Sequence, residues 1–275
     1  MAKRIVAPAR VTKVRATDGA YSQDTRADAL AVEEPLQIRV DGQDFSTTMR
    51  TPGNDFELIH GLLHAEGVIQ TREDLTTMRY CAGAVGPNGE NTYNTIDVSL
   101  SPQPEPRVLP LRAITTTSAC GICGTTSIDD LIKRRRFPIV PVTPTAEFVL
   151  SLPGKLRDNQ KAFRRTGGIH AAGAVTSSGE LVAAFEDVGR HNAADKVIGS
   201  MLMNEQLPAE GMYLVMTSRA SFELVQKAVL AGFSGLVAVS AATSLAVDLA
   251  RESGLFMTGF TREDRFNVYS GKLAS

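Results

Sequence analysis

The sequence predicts an α/β protein with a smaller, strand-rich lobe on its amino-terminal side. Three observations support this class. Beyond residue 192, apolar runs of strand length alternate with stretches of helical periodicity, which is typical of a parallel sheet covered by helices. Two earlier pairs of apolar runs flank short polar turns, as in β-hairpins. The chain has 275 residues, 43% of them hydrophobic, so it can bury a large core.

The amino-terminal part divides into an arm and a lobe. Residues 1–30 are polar and mixed in charge, and we expect them to form a flexible arm. The lobe is predicted over 31–108. It begins with a hairpin at Asp41-Gly42, between apolar runs over 36–40 and 45–49.

One helix and one further strand complete the predicted lobe. The helix spans 54–66, because Asn54 and Glu57 have the spacing of a capping box and Gly67 stops the periodic pattern. The strand spans 93–100, where apolar and polar residues alternate.

A proline-rich stretch over 101–107 separates this lobe from the predicted core, which spans 109–275. The core contains a second hairpin, with strands over 168–176 and 180–185. The later elements are predicted as a helix from 192, a strand over 213–216, a helix over 222–231, a strand over 236–239, a helix over 245–252, and strands over 255–260 and 266–269.

Charge and hydropathy exclude several functional classes. The formal net charge of -1 disfavours a general nucleic-acid binder, whose affinity requires a basic excess. No apolar run reaches 18 residues and the start lacks a secretory hydrophobic core, so we expect a cytoplasmic protein that does not enter a membrane. Three cysteines in a reducing compartment make a disulfide framework unexpected.

Two of these cysteines, Cys120 and Cys123, lie in a run of small, uncharged residues over 115–124. Thiols at this spacing serve as half of a zinc site, as a redox disulfide, or as carriers of a persulfide sulfur. Glycines at 121 and 124 allow another molecule to approach the thiols closely, which favours a reactive pair over a buried one. Sulfur transfer is therefore the preferred chemistry.

The alternatives to sulfur transfer stay open at this point. A structural zinc needs four ligands, and the chain offers, besides the pair, only Cys81, His60, His64, His170 and His191. A thioredoxin-like pair would follow an apolar strand, whereas a Thr-Ser string precedes this one. A zinc-stabilised binding protein and a dithiol oxidoreductase remain as the competing functions.

A second candidate site lies where the predicted parallel strands end. Open α/β sheets bind ligands beyond the carboxyl ends of their strands. The residues expected there are Thr217 to Ser221, Ser240, and Thr261 to Arg265. Their hydroxyls and arginines, with free helix-start amides, suit a phosphorylated ligand. The plainer interpretation of Ser221 and Thr243 is that they cap helices.

Two further polar groups have a functional and a structural interpretation. The segment Glu186 to His191 offers an acid, a base and a partner charge, or else forms a loop in which Asp187 pairs with Arg190. His170 either is a satisfied core residue or lowers the pKa of a nearby thiol. The basic run Lys133 to Arg136 is a solvated face or a docking site for an acidic partner.

Six short motifs, in one order along the chain, carry a family resemblance. They are Met49 to Gly53, Cys120 to Gly124, Thr166 to Ala172, Glu186 to His191, Ser218 to Ser221, and Phe266 to Tyr269. Together they resemble the FdhD family of formate dehydrogenase accessory proteins over roughly residues 30 to 270.

The resemblance implies a sulfurtransferase. Such proteins take sulfur from a cysteine desulfurase as a persulfide and pass it to the molybdenum or tungsten bis-guanine-dinucleotide cofactor, which then serves formate dehydrogenase. By the matching motifs, Cys120 is the persulfide carrier and Cys123 its companion. The implied cofactor-binding residues are Phe260, Thr261, Arg262, Glu263, Asp264 and Arg265, with Ser218 and Arg219.

The resemblance also implies the architecture and the partners. The fold would be a cytidine-deaminase-like three-layer αβα core with a mixed, partly parallel sheet, and the protein would form a homodimer. The cofactor is then a bound substrate, GDP is a mimic of one of its ends, and no permanent metal is expected. Deaminase chemistry is not expected, because Ala171-Ala172 follows His170 and the cysteines precede the histidine.

Overall fold

The structure is a computed structural model that describes residues 5–81, 93–102 and 128–274. In chain order its strands are β1 Val6–Thr17, β2 Ala20–Ala31, β3 Glu34–Val40, β4 Gln43–Arg50, β5 Leu75–Tyr80, β6 Thr95–Leu100, β7 His170–Val175, β8 Leu181–Asp187, β9 Tyr213–Met216, β10 Gly235–Ala238, β11 Phe256–Gly259 and β12 Asn267–Ser270. Its helices are α1 Asp55–Ala65, α2 Ile128–Arg134, α3 Ala146–Arg157, α4 Lys161–Thr166, α5 Arg190–Met203, α6 Phe222–Leu230 and α7 Ser244–Ser253, with a 3₁₀ turn over Arg72–Asp74.

The larger sheet has six strands in the order β12-β11-β10-β9-β7-β8. Strands β9, β10 and β11 are parallel, whereas β7 and β12 run antiparallel to their neighbours. The predicted mixed, partly parallel sheet is confirmed, and so is the α/β class.

Helices cover both faces of this sheet. Because side chains alternate along a strand, Met216 and Leu236 face one layer and Val215 and Val237 face the other. The first pair packs in a cluster with α5, α6 and α7, and the second packs with residues of α3. The core therefore has the expected three layers.

The smaller sheet has the order β4-β3-β6-β5 and is covered by α1. Leu36 and Ile38 of β3 and Ile59 and Leu63 of α1 are fully buried in its cluster. Leu202 of α5 also belongs to this cluster, so the small lobe packs directly on the larger one.

Most elements predicted for the second half agree with the structure to within one or two residues, and α5 begins two residues before the predicted start. The hairpin turn at Asp41-Gly42 is also confirmed. At the start of α1 the capping box does not form. Asn54 has a left-handed backbone with φ 55°, and its side chain donates to Glu57 Oε1 at 3.0 Å instead of capping the helix.

Residues 6–31 differ from the expected flexible arm. They form a two-stranded antiparallel ribbon, β1 and β2, with a turn at Asp18-Gly19. Both turn residues have positive φ, the conformation that a two-residue hairpin turn requires. The charged residues that suggested a flexible arm mostly alternate with uncharged residues along the two strands, a pattern that is compatible with an exposed ribbon.

Two glycines set the distance between α1 and α5, which run antiparallel. A Cβ atom on Gly61 would overlap the backbone carbonyl of Asp195, and one on Gly199 would overlap the carbonyl of Glu57. The helix backbones are therefore in direct contact. This close approach fixes the small lobe against the core.

We expect Gly61→Ala and Gly199→Ala to destabilise the protein, because each new methyl group must displace a helix backbone. Overpacking a tight core costs about 1–3 kcal/mol, and a rigid backbone neighbour places these variants at or above the upper end. Urea unfolding followed by circular dichroism measures the loss.

The matched control is Gly154→Ala in α3, where a Cβ meets nothing within 4 Å. Alanine is favoured over glycine in a helix by about 1 kcal/mol, so this variant should be as stable as the wild type or more so. Equal effects at all three positions would contradict the close-contact explanation.

Candidate functional site

The topology brings most of the predicted polar groups to one edge of the larger sheet. Strands β8, β9, β10 and β11 end at this edge, and β7 begins there. His170, at the start of β7, pairs in register with Asp187, at the end of β8. The Oγ1 atom of Thr217, just beyond β9, accepts a hydrogen bond from the Ala171 amide at 3.0 Å. We call this the carboxyl edge.

Asp187 is fully buried at the carboxyl edge and is the most heavily bonded residue there. Its Oδ2 accepts from the Thr51 amide at 3.2 Å and lies 2.7 Å from Lys196 Nζ. Its Oδ1 accepts from the Gly189 amide at 2.8 Å and from Asn192 Nδ2 at 3.1 Å. The carboxylate therefore ties the chain after β4 to the turn between β8 and α5.

The structural interpretation of the Glu186 to His191 segment holds for both of its carboxylates, but with different partners from those predicted. Glu186 accepts the amides of Ala162 and Phe163, both at 2.8 Å, at the start of α4. Asp187 pairs with Lys196 and not with Arg190. The Nε atom of Arg190 is buried and has no hydrogen-bond partner.

The Met49 to Gly53 motif is also held in the interior. Arg50 is fully buried, and its Nε and Nη2 donate to the two carboxylate oxygens of Asp55 at 3.0 Å. Tyr80 donates its hydroxyl to the same carboxylate at 3.0 Å, and burial together with the Asp55 charge raises the pKa of Tyr80. These contacts therefore join the end of β4 to the start of α1 within the small lobe.

Two histidines approach each other at the carboxyl edge. His191 Nε2 lies 2.8 Å from Glu223 Oε2 and 3.4 Å from Ser221 Oγ. His170 is half-buried, and burial, with the nearby charges of Arg190 and His191, lowers its pKa. A neutral His170 accepts or donates a hydrogen bond near neutral pH without adding charge.

Three helices begin at the carboxyl edge without side-chain caps. Gly189, Ser221 and Thr243 occupy the N-cap positions of α5, α6 and α7, and none makes a side-chain cap hydrogen bond. In α3, by contrast, Thr145 caps the Phe148 amide in the usual way. The capping interpretation of Ser221 and Thr243 is wrong, and the helix-start amides are left to other acceptors.

Phe260, at the end of β11, combines exposure with backbone strain. Its φ is 53°, which is unusual for a bulky residue, and the side chain is 45% exposed. Its amide donates to the Ser240 carbonyl at 2.9 Å, and the next residue, Thr261, is buried with its hydroxyl 3.0 Å from that of Thr258. The surrounding chain thus holds an aromatic ring at the surface.

The predicted cofactor-binding residues from Arg262 to Arg265 follow Phe260 in the chain and are exposed. Arg262 donates Nη1 to the Val239 carbonyl at 2.7 Å, which uses one of its five donors. Arg265, Glu263 and Asp264 are exposed. Glu263 pairs with Arg157 at 2.7 Å and Asp264 with Arg265 at 3.2 Å.

Ser218 and Arg219 follow β9 at the same edge. Ser218 is buried and donates its hydroxyl to the Arg219 carbonyl at 3.1 Å, while the Arg219 side chain is exposed. The predicted ligand-binding residues are therefore brought to one edge, some as scaffold and some as exposed groups.

The cysteine pair lies outside the described residues, so the positions of Cys120 and Cys123 stay predictions. Cys81 is free and partly exposed. Across residues 5–81, 93–102 and 128–274, no three His, Cys, Asp or Glu side chains group as metal ligands would. His60 is engaged through Nδ1 with the Phe56 carbonyl at 2.8 Å.

The basic run contacts its own chain. Arg134 donates to the Glu66 carbonyl at 2.9 Å and Arg135 to the Ser253 carbonyl at 3.1 Å. Arg136 lies with its guanidinium 5.4 Å from the ring centre of Phe137. These contacts tie the run to its own chain, while Lys133, Arg134 and Arg136 stay exposed, as the interpretation as a solvated face requires.

The sequence did not indicate that polar residues inside α5 are buried. Asp195 and Lys196 are buried, and Asp195 lies 2.6 Å from Lys227 of α6. Burial raises the pKa of Asp195 despite this cation. The sequence gives no local signal of this burial, because both charges fall between the apolar positions Ala194 and Val197, where an amphipathic helix normally carries its polar face.

A family model described as the FdhD/NarQ family matches residues 31–274, nearly the whole chain. The chain belongs to this family. The resemblance inferred from the six motifs is thereby confirmed.

Relatives named sulfur carrier protein FdhD match over almost their full length. The protein of Corynebacterium efficiens is 55% identical over 274 residues, covering 98% of this chain and 99% of the relative. The protein of Streptomyces coelicolor is 50% identical over 262 residues, covering 94% and 92%. The Mycobacterium tuberculosis protein is 47% identical over 251 residues, covering 90% and 91%.

A solved structure supports the fold of this FdhD/NarQ family chain. A protein of Desulfotalea psychrophila, described as a formate dehydrogenase accessory protein, superimposes with a TM-score of 0.70 and covers 96% of each chain. At 22% identity this likeness concerns the fold alone. In the part of the chain that the structure describes, no helix has the length and apolar character needed to cross a membrane.

The stability of the protein should fall on mild acidification because of His64. Burial and the charges of Lys227 and Arg136 lower the His64 pKa to about 4, and its Nδ1 is buried without a partner. Between this pKa and about 6.5, the unfolded chain binds the proton and the folded chain does not. The free energy of unfolding should therefore decrease by about 2 kcal/mol from about pH 7 to about pH 5 through this residue alone.

Urea unfolding of the wild type and His64→Gln at the two pH values isolates this contribution. The variant should lose correspondingly less stability on acidification, because glutamine does not titrate. An identical pH dependence in wild type and His64→Gln would contradict the assignment.

Proposed function

We propose that this protein accepts sulfur from a cysteine desulfurase as a persulfide on Cys120 and passes it, in the cytoplasm, to a molybdenum or tungsten bis-guanine-dinucleotide cofactor destined for formate dehydrogenase. The observation that carries the proposal is the near-full-length identity to proteins named sulfur carriers, in a chain whose paired thiols are Cys120 and Cys123. The cofactor is the substrate of this reaction.

The first step is a thiol exchange without net redox change. The Cys120 thiolate attacks the outer sulfur of the desulfurase persulfide. The sulfur–sulfur bond of the donor breaks, the donor cysteine leaves as a thiolate, and a new persulfide forms on Cys120 with its proton. The small residues around the pair allow the two proteins to bring their thiols together.

The second step releases the sulfur with the help of Cys123. The Cys123 thiolate attacks the inner sulfur of the Cys120 persulfide, forming a disulfide and expelling hydrosulfide to the metal of the substrate. The transferred sulfur is reduced and the two cysteines are oxidised. A cellular dithiol reductant then restores both thiols.

The carboxyl edge supports binding of the nucleotide ends of that substrate. Three helix starts without side-chain caps present amide donors, and helix amino termini favour anions such as phosphates. Phe260 offers an exposed ring on which a guanine base stacks, and the exposed side chains of Arg262 and Arg265, further along the same segment, supply positive charge.

Incubation with a cysteine desulfurase and cysteine should add the mass of one sulfur atom to the protein, detectable by intact mass spectrometry. The Cys120→Ala variant should lose this adduct, because the carrier thiol is absent. The Cys123→Ala variant should keep it and accumulate it, because release requires the second thiol.

Cys81→Ala is the matched control and should acquire the adduct like the wild type. Equal labelling of Cys120→Ala would reject Cys120 as the carrier. Stoichiometric zinc bound through both cysteines, or catalytic reduction of a model disulfide without desulfurase, would support the binding-protein or oxidoreductase alternative.

GDP, as a probe of one end of the cofactor, should bind the wild type more tightly than variants of the carboxyl edge. Loss of a charged hydrogen bond in Arg262→Ala or Arg265→Ala costs about 1.5–3 kcal/mol, at least about a tenfold loss of affinity. Loss of base stacking in Phe260→Ala costs about 1–3 kcal/mol. Isothermal titration calorimetry measures the three affinities.

Arg251→Ala is the matched control, because Arg251 is an exposed arginine at the far end of α7. Its GDP affinity should equal that of the wild type. Unchanged affinity in all three edge variants would remove this site from the proposal, whatever the outcome of the sulfur-labelling experiment.

A further inference from the structure

Arg190, the first residue of α5, is a half-buried cation without a counter-ion at the carboxyl edge. Its Nε atom is buried and has no hydrogen-bond partner, and its guanidinium forms no ion pair with any residue in the described ranges. A charge withdrawn from water is costly unless it is paired and hydrogen-bonded. An arginine held in this way is suited to an anionic ligand.

The carboxylates near the start of α5 are committed to other cations. Asp187 Oδ2 lies 2.7 Å from Lys196 Nζ, and Glu223 Oε2 lies 2.8 Å from His191 Nε2. Both pairs belong to the contacts that hold α5 against β8 and α6, so neither carboxylate neutralises Arg190. A bound ligand can supply the anion that these elements do not.

A second unpaired arginine lies at the same edge. Arg219 is exposed, and its side chain makes no hydrogen bond or ion pair in the part of the chain that the structure describes. It stands two residues before Ser221, whose Oγ lies 3.4 Å from His191 Nε2, so it borders the start of α5. Guanidinium groups bind phosphates through parallel hydrogen bonds, and the uncapped start of α5 favours the same charge. Two unpaired guanidinium groups suit two linked phosphates.

His170 allows this cluster to respond to an anion. It is half-buried, pairs in register with Asp187 of β8, and lies near Arg190 and His191 of α5. Burial and the charges of Arg190 and His191 lower its pKa, while the charge of Asp187 opposes them. A negative charge beside a histidine favours the protonated imidazole. A phosphate that binds Arg190 therefore draws a proton onto His170.

We propose that Arg190 and Arg219 bind the diphosphate of a guanine nucleotide end of the substrate, and that His170 takes up a proton when this group binds. The identity of the ligand rests on the proposed function, whereas the anion site rests on the unpaired arginines. The proton comes from the solvent and stays on the imidazole, so no bond of the ligand breaks. These residues thus select a diphosphate and leave recognition of the base to other groups.

Isothermal titration calorimetry with GDP and with inorganic pyrophosphate tests the role of Arg190. Arg190→Gln should lose at least about tenfold in affinity for both probes, because a charge-assisted hydrogen bond is lost. Arg190→Lys keeps the charge without the planar fork and should bind with intermediate affinity. Phe260→Ala should weaken GDP binding alone, since pyrophosphate has no base to stack. Unchanged circular dichroism spectra verify that the variants fold.

Arg251→Gln is the matched control for the arginine, because Arg251 lies in the last turn of α7. It should bind both probes as the wild type does. Equal pyrophosphate affinity in the wild type and Arg190→Gln would overturn the anion site. An equal loss in Arg190→Gln and Arg251→Gln would overturn it as well.

Titration of GDP near neutral pH, in two buffers with different ionisation enthalpies, measures the proton uptake. The apparent binding enthalpy of the wild type should depend on the buffer, because the complex takes a proton from it. The dependence should be smaller in His170→Gln, and this difference excludes protons bound by the GDP itself. His60→Gln, in α1, is the matched control and should keep the dependence of the wild type.

The same buffer dependence in the wild type and His170→Gln would overturn the proton uptake. Failure of the proposed function has a different signature. A wild type that acquires no sulfur adduct from desulfurase and cysteine would reject sulfur transfer, whereas the pyrophosphate comparison between wild type and Arg190→Gln would still decide the anion site.

Discussion

The buried carboxylate of Asp187 is the interaction on which the arrangement of this protein depends. A charge removed from water is costly unless it is fully bonded, and Asp187 meets this requirement with Lys196, Asn192 and two backbone amides. One amide belongs to Thr51 in the small lobe and the other to Gly189 beside α5. A single charge thus positions two distant segments of sequence, and through them the start of α5 at the carboxyl edge.

Much of the core could be predicted because its elements follow local rules. The alternation of strands and helices after residue 192 can be predicted from the periodicity of the apolar residues. The Asp41-Gly42 dipeptide is a strong local signal for a hairpin turn. The ribbon was missed because mixed charge was taken for disorder, although Asp18-Gly19 carries the same turn signal. Helix α3 was missed because Pro153 interrupts its pattern, yet tertiary packing retains it as the third layer.

The location of the candidate site could be predicted from the sequence, but the role of each of its residues could not. Sheet topology gathers the residues after β9, β10 and β11 at one edge, which strand order alone indicates. Which polar groups serve the scaffold is decided by partners distant in sequence. Glu186 bonds the amides of α4, whereas Ser221 leaves its helix uncapped, and neither outcome follows from its local sequence. Burial and pairing, rather than residue type, distinguish the polar residues that stabilise the scaffold from those that remain available to a ligand.

Phe260 shows where folding and ligand binding make opposite demands. A bulky residue with φ 53° costs of the order of 1–3 kcal/mol, and glycine at this position would relieve that cost. Selection for stability alone would therefore favour glycine at this position. The exposed phenyl ring buries too little apolar surface to offset the backbone strain. Under the proposed function, the ring is maintained by selection on the bound nucleotide, and thermostabilised versions of the protein that remove this strain would lose binding as they gain stability.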